Sequence, residues 1–245
     1  MVVYINMKGG SLKVKELKAF LESSYMQPAP DEVMGYKLDN DLSNLYGKVY
    51  VNEALKKIIL AFRGTGMENL GTDWLNNYIF LLNSTSYKLT PRYQTALKMY
   101  DKAMKKYKNY KFNLLGHSQS GVIVNNLCSD KVQNCISLNP AYKNASLKNN
   151  EFIIRSSGDV VSQMAAPKNF MNSILYPSWT ANHMRTIENT TGNPLKEHAI
   201  DILDRLDPNM AIGRGGNLKK ESKQCKCEKK RQLNGYSLNV CLSKV

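Results

Sequence analysis

The stretch Phe112-Asn113-Leu114-Leu115-Gly116-His117-Ser118-Gln119-Ser120-Gly121-Val122-Ile123-Val124 constrains this chain more than any other. An apolar run short enough for a buried strand passes through small residues and continues over residues 122–128, which suit a helix. Strand and helix nearly touch at so tight a corner, so the residues beside it must lack bulky Cβ substituents. Gly116 meets that need two residues before Ser118. Two residues after it, Ser120 stands where a second glycine is usual, with Gly121 following. A serine at the tip of such a corner sits on a strained backbone with its hydroxyl pointing outward.

The flanking segments predict an α/β architecture. Residues 12–25 read as an amphipathic helix, with Leu12, Val14, Leu17, Phe20 and Leu21 near helical spacing. Residues 45–51 and 57–62 read as two strands joined by a turn, the second running into Arg63-Gly64-Thr65-Gly66. Residues 91–107 form a helix with proline in its first turn and Tyr93, Ala96, Leu97, Tyr100 and Met104 on one face. Further strands are expected at 132–138, 151–155 and 184–187, and a helical run at 198–203. Strands alternating with helices imply a mostly parallel sheet with helices on both faces, and functional groups beyond the carboxyl ends of its strands.

At 245 residues the chain has the length for one such domain, assigned to residues 1–212. Residues 213–245 read as a basic tail: from Arg214 onward, nine lysines and arginines face only Glu221 and Glu228, half of the net charge of +14. Such a tail attracts anionic membrane or nucleic acid without further specificity. No apolar window is long enough to cross a bilayer, and the first residues lack a secretory signal, so a cytoplasmic location is expected. Cys128, Cys135, Cys225, Cys227 and Cys241 are odd in number and read as free thiols. Cys225, Cys227 and Cys241 without a nearby histidine make a weak metal constellation, and no metal or cofactor is predicted.

Ser118 becomes a nucleophile only if a base removes its proton and a third group orients that base. Asp159 fits the third role, because it follows a strand and the small residues Ser156-Ser157-Gly158. The chain has three histidines. His117 adjoins the serine and projects another way; His183 and His198 both follow Asp159, the order Ser, Asp, His of α/β-hydrolases. His198 is preferred, as a loop-presented residue at the start of a helix after Gly192-Asn193-Pro194, with His183 as the alternative. The oxyanion of an acyl-transfer intermediate needs two donors. The amide of Gln119 supplies one, and Thr65, at the end of the 57–62 strand, is placed for the other. The apolar residues Tyr78, Phe80 and Leu81, with Trp74 before them, read either as core or as a flap over a greasy site.

With these pieces assembled, the chain resembles the class 3 lipase family, fungal-type triacylglycerol lipases with an α/β-hydrolase fold. Ala61-Phe62-Arg63-Gly64-Thr65 is similar to that family's strand-plus-oxyanion motif, and Asp73-Trp74-Leu75-Asn76 to the segment after it. Gly116-His117-Ser118-Gln119 matches the elbow, and Gly158-Asp159-Val160-Val161 the acid motif. The resemblance covers roughly residues 48–203. It implies Ser118, Asp159 and His198 as the triad, Thr65 and Gln119 at the oxyanion hole, and a lipid or ester substrate. The chain departs from the family at Ser120, at Thr90-Pro91-Arg92-Tyr93 in place of a His-Gly-Phe-like segment, and in its short stretch between Asp159 and His198. The expected activity is hydrolysis of carboxylic esters, lipid-like ones in particular, through an acyl-enzyme. The alternative is a non-catalytic protein that binds anionic membrane or nucleic acid through the basic tail, nucleic acid being the less favoured of the two.

Overall fold

A computed structural model describes residues 10–65, 87–141, 148–159, 161 and 182–214, together with the backbone of 231–233 and 236–238. The central strands are almost wholly buried along their length. These are β4 (Gly47–Asn52), β5 (Lys57–Phe62), β6 (Lys111–His117), β7 (Val132–Leu138) and β8 (Glu151–Ser156). Burial on both faces is what a sheet covered on each side produces, and the polar residues within it, Asn113, Asn134 and Ser137 among them, are buried too. With β2 (Glu32–Val33), β3 (Tyr36–Leu38) and β9 (Met184–Ile187) they form one eight-stranded sheet in the order β2-β3-β4-β5-β6-β7-β8-β9. Pairing is antiparallel from β2 to β5 and parallel from β5 to β9.

Successive residues of β5 feed opposite cores. Ile58, Leu60 and Phe62 pack with α2 (Pro91–Lys106) and α3 (Ser120–Leu127). Ile59 and Ala61 pack with α1 (Val14–Tyr25) and the 3-10 turn Ile200–Arg205. Phe20 of α1 meets Tyr36 edge-on, with ring centroids 5.2 Å apart, and Tyr50 at 5.4 Å. Each such side chain, fully buried, contributes about 1.5–3 kcal/mol. Thr90 caps α2 by accepting the Tyr93 amide, Pro91 opens the helix, and Lys105 and Lys106 lie in its last turn beside the negative end of the dipole. This layered, mostly parallel arrangement, with the serine corner after β6, is an α/β-hydrolase-like fold.

Several elements differ from expectation at their ends. Leu12–Lys13 is a short strand, β1, paired with β10 (Ala211–Ile212), so α1 begins only at Val14. The 198–203 run is divided: α4 (Pro194–His198) is followed by a separate 3-10 turn, and His198 ends a helix instead of starting one. Cys128 and Cys135, read as free thiols, are joined in a disulfide. Cys128 follows the last turn of α3 and the chain doubles straight back into β7, which brings the two Cα atoms to 5.9 Å. A cross-link closing so short a loop is worth about 2–3 kcal/mol. Adding reductant is expected to lower the urea midpoint correspondingly; a native protein whose Cys128 and Cys135 alkylate freely would contradict the bond.

Among the described residues no helix is long and apolar enough to cross a membrane. Residues Arg231–Leu233 (β11) and Tyr236–Leu238 (β12) pair as a hairpin within the basic tail. Trp74, Tyr78, Phe80 and Leu81, the 73–76 segment, Cys225, Cys227, Cys241 and most of the tail lie outside the described residues.

Candidate active site

The corner after β6 is built as its composition demands. Ser118 has φ +58°, the left-handed region that costs a non-glycine residue about 1–3 kcal/mol and persists only when neighbours fix it. They do: the Ser118 amide donates to the Leu138 carbonyl at 3.0 Å, and its own carbonyl accepts from Ala141 and Gly121, each at 3.0 Å. A Cβ on Gly116 would lie 2.8 Å from both the Ser120 carbonyl oxygen and Val124 Cγ2, so no larger residue fits there. Ser120 does more than tolerate the second glycine position. Its buried hydroxyl accepts the His117 amide at 2.8 Å and donates to the Phe62 carbonyl at 2.8 Å, tying the corner to the end of β5.

Ser118, His198 and Asp159 form one line. Ser118 Oγ is 2.7 Å from His198 Nε2, and His198 Nδ1 is 2.8 Å from Asp159 Oδ1. Asp159 is fully buried, and Ser118 and His198 are nearly so. A carboxylate only accepts, so the imidazole proton sits on Nδ1 and leaves Nε2 bare toward the serine hydroxyl. The Val161 amide donates to the same Asp159 oxygen at 3.1 Å. His183 stands elsewhere: its ring stacks on Phe152 and its Nε2 meets the Asn149 carbonyl at 3.3 Å.

His198 is carried by a shell the sequence did not announce. Asn193 caps α4 by accepting the amides of Leu195 and Lys196. Glu197, fully buried, receives both Nη atoms of Arg205 at 2.8 and 2.9 Å. It also accepts the hydroxyls of Ser156 and Thr191 and the Thr191 amide. The Arg205 guanidinium, helped by these donors and opposed by burial, holds the Glu197 carboxyl well below the usual range. The Glu197 carbonyl accepts from Asn139 Nδ2 at 2.9 Å, and Asn139 Oδ1 accepts the Ser156 amide, so the segments before His198 and before Asp159 are fastened to one side chain.

His117 also belongs to the site, although its position in sequence turns it away from Ser118. Its Nε2–H donates to the His198 carbonyl at 2.7 Å, which leaves Nδ1 to accept the Tyr25 hydroxyl at 2.7 Å. Tyr25 in turn accepts the Gly64 amide at 2.9 Å. Burial, and next the neighbouring His198, push His117 down from 6.5 to about 3, so it stays neutral. Its folded value lies below its unfolded one, so the unfolded chain takes a proton that the fold refuses between pH 6.5 and about 3. Stability is therefore undiminished above pH 6.5 and falls on acidification, by at most about 1.4 kcal/mol per pH unit. Urea midpoints measured from pH 7 to 4 are expected to fall less steeply in His117→Asn than in the parent; equal slopes would contradict a neutral His117.

Two loops converge beside Ser118. Thr65 Oγ1 donates to Gln119 Oε1 at 2.7 Å, linking the end of β5 to the corner. Arg92 Nη1 reaches the same oxygen at 2.8 Å, and its Nη2 reaches the carbonyls of Arg63 and Gly64 at 2.6 and 2.7 Å. Neither Arg92, Tyr25 nor Glu197 was singled out from sequence as a site residue. Among the described residues no cluster of histidine, cysteine or carboxylate side chains has metal-binding geometry.

No protein-family model and no curated protein sequence matches this chain. Solved structures do. Lip2 lipase from Yarrowia lipolytica is similar at 15% identity, covering 64% of this chain and 77% of that one, with a TM-score of 0.41. Rhizomucor miehei lipase in complex with its propeptide is similar at 16% identity over 62% of each chain, with a TM-score of 0.38. A fungal lipase–inhibitor complex is similar at 15% identity, covering 58% of this chain and 69% of that one, with a TM-score of 0.41.

Proposed function

We propose that this chain is a serine hydrolase that cleaves carboxylic esters, lipid esters in particular, with Ser118 as nucleophile, His198 as general base and acid, and Asp159 as the residue that orients it. The observation that carries this reading is the unbroken line Ser118 Oγ–His198 Nε2 and His198 Nδ1–Asp159 Oδ1, at 2.7 and 2.8 Å, with the serine on a left-handed corner.

In the forward step His198 Nε2 takes the Ser118 proton as Oγ attacks the ester carbonyl carbon. The negative oxygen that develops is received by the amides of Gln119 and Thr65. Collapse breaks the bond to the alcohol, which leaves with the proton from His198, and the acyl group stays on Ser118. Water then attacks the acyl-enzyme, giving a proton to His198. The second collapse returns that proton to Ser118 Oγ and frees the acid. Asp159 remains ionised throughout and stabilises the imidazolium.

Preference for lipid esters rests on the apolar stretch around Tyr78, Phe80 and Leu81 and on the basic tail, residues 213–245, which would draw the domain 1–212 to anionic membrane. The test is labelling with a fluorophosphonate followed by peptide mapping, together with hydrolysis of short soluble and emulsified long-chain esters. A single adduct on Ser118 and faster turnover on emulsified substrate are expected. A folded protein that neither labels nor hydrolyses any ester would overturn the reading.

A further inference from the structure

Arg92 takes no part in the acyl-transfer steps above, yet its guanidinium touches both halves of the proposed oxyanion hole. Nη1 donates to Gln119 Oε1, and Nη2 to the carbonyls of Arg63 and Gly64. Its planar face lies over the Tyr46 ring, 5.3 Å from the centroid. Among the described residues its hydrogen-bond partners are carbonyl oxygens. Three carbonyls turned toward one point repel one another, and a fixed cation with a fork of donors is what holds them there.

The orientation of the oxyanion strand follows from the planarity of the peptide. In a trans peptide the carbonyl and the next N–H point in opposite directions. The Arg63 carbonyl faces Arg92, so the Gly64 N–H must face away, and there it meets the Tyr25 hydroxyl. The Gly64 carbonyl also faces Arg92, which turns the Thr65 N–H to the opposite side. Gly64 itself packs against the corner: a Cβ built on it would lie 2.5 Å from the Tyr25 hydroxyl, 2.6 Å from the His117 carbonyl oxygen and 3.1 Å from Ser118 Cβ. On the other half, Gln119 Oε1 receives both Arg92 and the Thr65 hydroxyl. Arg92 can only donate, which fixes the side-chain oxygen as the atom that faces it and makes the Thr65 hydroxyl the second donor.

We infer that Arg92 is the positioning residue of the oxyanion hole, one buried guanidinium that holds the Gly64–Thr65 peptide and the Gln119 side chain so that both amide donors stand in place before substrate arrives. The inference rests on the ester-hydrolase reading and adds to it the residue that sets up its electrophilic half. The group acts through donors it orients, so its removal is felt mainly where negative charge develops on the substrate oxygen. Lysine is no substitute, because a point charge with tetrahedral donors does not reproduce the guanidinium fork that reaches the three carbonyls.

The test compares Arg92→Met and Arg92→Lys with the parent on a soluble p-nitrophenyl ester and with an aryl boronic acid, whose serine adduct is tetrahedral. For Arg92→Met, kcat is expected to fall about 10- to 100-fold with KM within about threefold, and boronate Kd to rise by a factor similar to the loss in kcat. Arg92→Lys keeps the cation and the long stem and is the variant on which the test rests if methionine unfolds the loop. It is expected to show the same split at about 10-fold. A folded lysine variant with kcat and boronate affinity within about twofold of the parent, or with a change in KM alone, overturns the inference. A parent protein that neither turns over the ester nor binds the boronate would instead overturn the hydrolase reading.

Discussion

Replacing Ser118 with alanine is expected to lower ester turnover by at least about 10⁴-fold while leaving the fold intact. The magnitude follows from the way the three side chains act as a unit. His198 Nε2 has its hydrogen-bond partner in Ser118 Oγ, and without that oxygen the imidazole can only activate water. The residual rate would come from the amides and from binding, so adding His198→Ala to Ser118→Ala should cost little more. Two independent contributions would instead multiply, and a multiplied loss in the double variant would contradict a shared mechanism. The fold should survive because the corner is fixed by backbone bonds, Ser118 to Leu138 and Ala141 to Ser118, which alanine also makes. Alanine inherits the left-handed φ and its cost, so the melting temperature should stay within a few degrees of the parent. Turnover near the parent rate in Ser118→Ala would remove Ser118 from the chemistry.

The parts of this molecule that were legible in its sequence are those fixed by local composition. The segments 57–62 and 132–138 became strands with those bounds: the first is apolar after Lys57, and the second is short, free of Gly and Pro, and carries Val132, Ile136 and Leu138. Pro91 and the face of Tyr93, Ala96, Leu97, Tyr100 and Met104 mark a helix that is observed from Pro91. The small residues around Ser118 state the geometry of their turn before any tertiary contact is known. What escaped were contacts between distant segments. Tyr25 and His117 meet although they are 92 residues apart, and Tyr25 looks like the end of an amphipathic helix when read alone. Arg92 stood out only as part of a departure from the family, yet its guanidinium meets three carbonyls that no sequence pattern encodes. Cys128 and Cys135 were misread for the same reason: the reversal between α3 and β7 that joins them is a property of the fold.

Glu197 and Arg205 were equally hidden, and Arg205→Ala is expected to have the largest effect on stability. Glu197 has no solvent exposure, and the Arg205 side chain, 23% exposed, is the cation that meets it bidentately. Removing Arg205 leaves a buried carboxylate with neutral donors alone and no cation, a change that costs about 3 kcal/mol near neutral pH. The pH dependence distinguishes this cause from lost packing. In the parent the Glu197 carboxyl lies well below its ordinary 4.5, so its stabilisation is fully present above pH 4.5 and is lost as pH falls below it. Without the guanidinium the Ser156 and Thr191 donors remain and burial opposes them, so the carboxyl moves back up toward its ordinary value. The difference in unfolding free energy between parent and Arg205→Ala should therefore be full above pH 4.5 and shrink as pH falls below it. A difference that stays constant below pH 4.5 would assign the loss to packing. Glu197 immediately precedes His198 and its carbonyl is held by Asn139, so the variant should also lose about 10-fold in kcat as the imidazole drifts from Ser118. Glu197→Gln, which removes the charge but keeps the side chain's shape and one acceptor, should lose less stability at pH 7 than Arg205→Ala, because it leaves no buried charge and Arg205 can turn toward water.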